Sequence, residues 1–173
     1  MKKLIISLFI TLILSCSSQD SLDVNSANEQ GILLLDNGTE PQGLDPHIVT
    51  GVTEHKIVIA LFEGLTMQNP RGEGVIPAAA ESWEISNDGT EIIFKIRPNA
   101  KWSNGDPLTA NDFVYSWQRL IDPATASPYS WFVAIPGIKN ADAIMKGDKP
   151  TSTLGVRAVD EYTFEVTLNA PVP

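Results

Sequence analysis

The chain has 173 residues, enough for one domain or one lobe of something larger. Its apolar fraction of 43% is that of a globular chain, and a net charge of −9 with no basic stripe excludes the electrostatic footprint of a nucleic-acid-binding protein. Cys16 is the only cysteine, which excludes a disulfide framework.

Lys2 and Lys3 precede an apolar run from Leu4 to Leu14. That run is about half the ~20 residues a membrane-spanning helix needs, so residues 1–15 read as a secretory signal. Its end, Ile13-Leu14-Ser15-Cys16, resembles a bacterial lipoprotein lipobox. The resemblance implies acylation of Cys16, which becomes the new N-terminus. Residues 16–30 are polar and lack periodicity, and read as a flexible tether.

The folded body is expected to begin near Gly31. "ILLLD" is a short apolar run that suits a buried strand, and "NGTEPQGLDPH" breaks regular structure. Thr53 is the candidate cap of a helix through "EHKIVIALF", with Glu54 in its first turn and Gly64 as the stop. Ile57, Val58, Ala60 and Leu61 supply its apolar face. "GLTMQNPRGEGVIPAAAESWEIS" reads as a strand, a turn and a short irregular segment. "NDG" then turns "SWEIS" into the alternating strand "TEIIFKIR", with Ile92, Phe94 and Ile96 on one face.

Asn104-Gly105 predicts a tight turn, and Thr109 with Asp112 three residues on predicts a helix start. Phe113, Trp117, Leu120 and Ile121 share one helical face, and Asp122-Pro123 ends the helix. Trp102, Phe113 and Trp117 are therefore expected to be packing. Tyr129 stands apart, after Ser127-Pro128, where its backbone and hydroxyl can face a cleft. "TLGVRAVD" and "EYTFEVTL" predict a final hairpin turning at Asp160-Glu161, with Tyr162, Phe164, Val166 and Leu168 together. The element order argues a mixed α/β body, with helices and much antiparallel sheet.

Chemistry-bearing motifs are missing from this pattern. "NPRGEG" lacks the Lys-Ser/Thr of a phosphate loop, and no Gly-x-Ser-x-Gly elbow occurs. The two histidines, His47 and His55, lack zinc-site spacing. Asp45, His47 and Glu54 can be drawn as metal ligands, but Leu44-Asp45-Pro46 reads better as a turn and Glu54 as a helix-start charge. No metal, no cofactor and no enzymatic activity are expected.

Several stretches occur in the order found in family 5 solute-binding proteins: "TEPQGLDPHIVTG", "LFEGL", "FKIRPNAKWSNGDPLTANDFVYSWQRLIDPATASPY", "LGVRAVDEYTFEVTL" and "APVP". Residues 31–173 resemble that family, and most of all its members that serve bacterial oligopeptide ABC importers. The resemblance implies a two-lobed periplasmic-binding-protein-like fold, of which this sequence covers the N-terminal part. Residues 31–62 would open the first ligand-binding lobe. Residues 63–173 would form most of a domain appended to it, and the second lobe is absent.

The resemblance also implies a function. An oligopeptide lies extended in a cleft and pairs its main chain with protein backbone, at one contact through Thr50, Gly51 and Val52 and at another through Tyr129. Thr50 stands where close relatives carry an acid; it keeps an oxygen but loses the charge. The partners implied are an oligopeptide, an inner-membrane ABC permease and a membrane that holds the lipid anchor. A monomer at the periplasmic face of the cell envelope is expected, with no nucleic acid. The alternatives are another cargo within the family (dipeptide, nickel complex or sugar) or a truncated, non-transporting surface lipoprotein.

Overall fold

Asp23 and Gly31 bracket the first element. The Asp23 carboxylate accepts from the Asn25 and Ser26 amides at 2.8 and 3.1 Å and starts helix α1, Val24–Glu29. Gly31, at φ +69°, lets the chain leave the helix, and the Ile32 N–H closes onto the Ala27 carbonyl at 2.8 Å. The computed structural model describes residues 23–171, so the signal residues 1–15 and Cys16 lie outside the described residues. The chain divides into two compact units, Met1–Asn37 and Gly38–Pro173. Within the segment expected to be an aperiodic tether, α1 is a correction: its cap signals were present and its short length hid them.

Residues 32–36 correct a second expectation. They form no strand, and Leu33 and Leu35 are each 80% exposed. An apolar run becomes a strand only when neighbours take up its N–H and C=O groups. No strand among the described residues pairs with it.

In the second unit, helix α2 spans Val52–Leu61. Thr53, the expected cap, lies inside it; Gly51 is the N-cap and offers no side chain. Glu54, the third helical residue, turns back instead, and its carboxylate accepts from the Gln42 amide at 2.7 Å. The helix ends at extended Phe62, two residues before Gly64. Of its apolar side chains, Val52, Ile59 and Leu61 face solvent.

Strands β1, Thr66–Gln68, and β2, Val75–Pro77, form a small antiparallel ladder. The main sheet holds β3, Ala80–Ile85; β4, Glu91–Ile96; β5, Val156–Asp160; and β6, Thr163–Thr167. Its order is β3-β4-β6-β5, antiparallel throughout. Both predicted hairpins are present. The first turns at Gly89, φ +69°; the second turns at Glu161 and Tyr162, one residue later than expected.

Helix α3, Ala110–Ile121, crosses one face of this sheet. Its start is as predicted: the Asp112 carboxylate accepts from the Thr109 amide at 2.7 Å and its hydroxyl at 2.9 Å. Phe113 and Trp117 pack on Phe164 of β6, with ring centroids 5.8 and 5.4 Å away. Phe164 is fully buried, beside Ile96, Ile121, Ile138 and Ile144, the last on short helix α4, Ala141–Met145. On the opposite face of central β6, Glu165 is covered by Arg157 and Thr163 by Lys95. Trp102 corrects the packing expectation: it is 42% exposed, at the turn between β4 and α3.

Candidate functional site

The turn predicted at Leu44-Asp45-Pro46 forms, and Asp45 organises it. Its carboxylate accepts from the His47 amide at 3.0 Å, and its carbonyl accepts from the Ile48 and Val49 amides at 3.0 and 3.1 Å. The same carboxylate then receives Arg119 from the last turn of α3. The two guanidinium nitrogens reach its two oxygens at 2.8 and 2.5 Å. Hydrogen bonding to Arg119 pulls the Asp45 carboxyl down to about 2.

His47 completes the anchor. Arg119 donates to its Nδ1, and its Nε2 lies 3.0 Å from the Ser116 hydroxyl of α3. Burial holds the imidazole below its ordinary range, and the adjacent guanidinium adds to this against the opposing pull of Asp45. The ring is therefore neutral, with its hydrogen on Nε2 and its Nδ1 lone pair toward Arg119. Asp45 lies 3.9 Å from Nδ1, on the far side of a cation that already satisfies it, so the two do not act as an ion pair.

After this anchor the chain runs through Thr50, Gly51 and Val52 into α2. Thr50 and Gly51 line a pocket of about 320 Å³ with Gln42, Leu44, Ile48 and the buried Glu54. The Thr50 backbone N–H and C=O make no hydrogen bond among the described residues. A Cβ at Gly51 would fall 1.9 Å from Glu54 Oε2, so a side chain there would displace the Glu54 carboxylate. Val52, the first helical residue, is 74% exposed and does not line the pocket.

Tyr129 follows the 3-10 turn Pro123–Thr125 and caps a second one, Ser130–Val133. It is 38% exposed, and its ring lies outside the pocket that holds Thr50. Its segment is nonetheless tied to the turn before Thr50. The Ser127 hydroxyl donates to the His47 carbonyl at 2.5 Å and accepts from the Tyr129 amide at 3.1 Å. So the Ser127 hydroxyl links the turn that precedes Thr50 to the segment that holds Tyr129. Below them a groove of about 1370 Å³ runs past His47, Phe62, Arg97, Trp102, Phe113 and Tyr115.

Sequence reasoning missed Arg119, Ser116 and Ser127. Each stands 69 to 80 residues from its partner, and neither periodicity nor a motif links such positions. Of the groups drawn as metal ligands, Asp45 is engaged by Arg119 and Glu54 by the Gln42 amide. No group of three or more His, Cys, Asp or Glu side chains suited to a metal occurs among the described residues. Nor is any helix among them long and apolar enough to cross a membrane.

Residues 74–173 match the model for bacterial extracellular solute-binding proteins, family 5, middle part. The sequence is 45% identical to the periplasmic oligopeptide-binding protein OppA of Salmonella typhimurium, over 99% of this chain and 32% of that protein. It is 49% identical to the periplasmic murein peptide-binding protein MppA of Escherichia coli, over 78% of this chain and 25% of that one. Its fold superposes on Haemophilus influenzae OppA in complex with the peptide RPPGFSPFR, with a TM-score of 0.76 and 48% identity, over 80% of this chain and 27% of that one. The chain thus spans a third or less of the length of these relatives.

Proposed function

The chain belongs to the family 5 bacterial extracellular solute-binding proteins, and on that premise we propose that it serves as the peptide-capturing component of an ABC importer. It is held at the cell envelope by lipid on Cys16 and passes oligopeptides to an inner-membrane permease as a monomer. It takes up peptide without transforming it and needs no cofactor. Thr50, Gly51 and Val52 form one peptide contact on the first lobe's side of the binding cleft, and Tyr129 forms another. The peptide's main chain bonds to theirs, which gives affinity with little reading of side chains.

The observation that carries this reading is the 45% identity to an oligopeptide-binding protein across nearly the whole chain. The site geometry supports it: exposed Thr50, whose main chain has no partner among the described residues, follows by three residues the His47 carbonyl that Ser127 holds. A murein peptide is the second reading of the cargo, favoured by the 49% identity to MppA.

The test is intact mass and calorimetry on the protein purified from its own host's membranes. The reading expects lipid on Cys16 and saturable binding of RPPGFSPFR or trialanine. Tighter binding of a murein tripeptide would favour the second cargo. A lipid-bearing chain ending at Pro173 that binds none of them would make it a non-transporting surface lipoprotein.

A further inference from the structure

We infer that Ser127 is a positioning residue for peptide capture, because its one hydroxyl bonds the main chain beside both proposed contact segments of the first lobe. The inference rests on the peptide-binding reading above. Ser127 donates to the His47 carbonyl at 2.5 Å, three residues before Thr50. It accepts from the amide of Tyr129 itself at 3.1 Å. A hydroxyl is one donor and two acceptor lone pairs, so one side chain can serve both segments at once. The residue is 7% exposed, and water does not compete for either bond.

Spacing is what such a tie controls. A peptide that pairs along its main chain needs acceptors and donors on both contact segments at fixed separation, within roughly 0.5 Å for a well-organised site. Arg119 and Asp45 fix the base of the first contact segment to α3. They do not touch the Tyr129 segment. Ser127 supplies that second connection, and no other hydrogen bond among the described residues joins the 44–52 stretch to the 127–129 stretch.

The experiment compares wild type, Ser127→Ala and Ser127→Thr in the full chain. It reads amide hydrogen exchange at Tyr129, with Phe164 as the core control, and the affinity for RPPGFSPFR. In Ser127→Ala the Tyr129 amide is expected to exchange faster and the affinity to fall, each by roughly fivefold to tenfold, as for one hydrogen bond. Phe164 exchange should stay as it was, and Ser127→Thr should recover both readouts. Unchanged affinity in Ser127→Ala with a freed Tyr129 amide overturns the inference and leaves the peptide reading standing. So does loss of Phe164 protection, which would make Ser127 a determinant of the fold. A wild type that binds no peptide removes the peptide reading, and this inference with it.

Discussion

Arg119 grips Asp45 across 74 residues of chain, its two terminal nitrogens meeting the two carboxylate oxygens at 2.8 and 2.5 Å. This pair decides where the turn before Thr50 sits against the sheet domain. Arg119→Lys keeps the charge and loses the fork that serves Asp45 and His47 together. Both side chains are about a third exposed, 31% and 34%, so solvent screening limits the effect. The Ile48 and Val49 amides, bonded to the Asp45 carbonyl, should exchange roughly twofold to fivefold faster in this variant. Phe164 should be unaffected.

The same cluster sets a pH dependence. His47 is held below its ordinary 6.5 by burial first and by Arg119 second, against Asp45. The unfolded chain then binds a proton that the folded chain refuses. Stability is full above about pH 6.5 and declines as the pH falls below it. Asp45, lowered from 3.8 to about 2, adds a separate loss as the pH falls between those values. The groups facing His47 are Arg119, Asp45 and Ser116, and none adds a competing titration near neutrality. Urea midpoints measured from about pH 7.5 to 5 should fall more steeply for wild type than for His47→Gln.

Gly155 is a packing requirement. A Cβ there would stand 2.6 Å from the Thr167 carbonyl oxygen and 2.7 Å from the Lys139 Cβ. These neighbours are locked: Lys139 donates to Thr167, Thr167 to Gly155, and Gly155 to Lys139. Gly155→Ala must push backbone apart, at a cost of about 1–3 kcal/mol by chemical denaturation.

Phe164 and Trp102 separate core from surface among the aromatics. Phe164 touches Phe94, Phe113 and Trp117 and has no exposed surface. Phe164→Ala should cost about 3–5 kcal/mol, a large part of the ~5–15 kcal/mol that holds a domain folded. Trp102→Ala should change stability by about 0.5 kcal/mol, as an exposed position does.

Protection should differ along the chain. Residues 31–61 carry exposed Leu33, Leu35, Val52, Ile59 and Leu61, whereas residues 63–168 contain the sheet and its core. Hydrogen exchange should be faster throughout 31–61, the anchored amides of Ile48 and Val49 being the slowest there. Equal protection in both regions would contradict this.

Local pattern alone determined much of this protein. The alternation in "TEIIFKIR" and "EYTFEVTL", the turn at Asp88-Gly89 and the Thr109–Asp112 box each act within a few residues, and each reappears in the fold. So does the apolar face of α3, because helical periodicity and burial coincide once a sheet lies beneath it. The ordered motifs likewise carried the family. Tertiary structure decided the rest. "ILLLD" has the composition of a strand, but a strand exists only where another strand pairs with it, and no strand among the described residues does. Thr53 looked like a cap, yet the helix starts at Val52 with Gly51 as its N-cap, and Glu54 is drawn to the Gln42 amide. Trp102 looked like core, yet nothing in its own turn could say whether α3 would cover it. The ties from Asp45 to Arg119 and from His47 to Ser127 are pairwise contacts over 74 and 80 residues. No period or spacing encodes such contacts; they arise when the sheet and α3 have packed and placed both ends within hydrogen-bond reach.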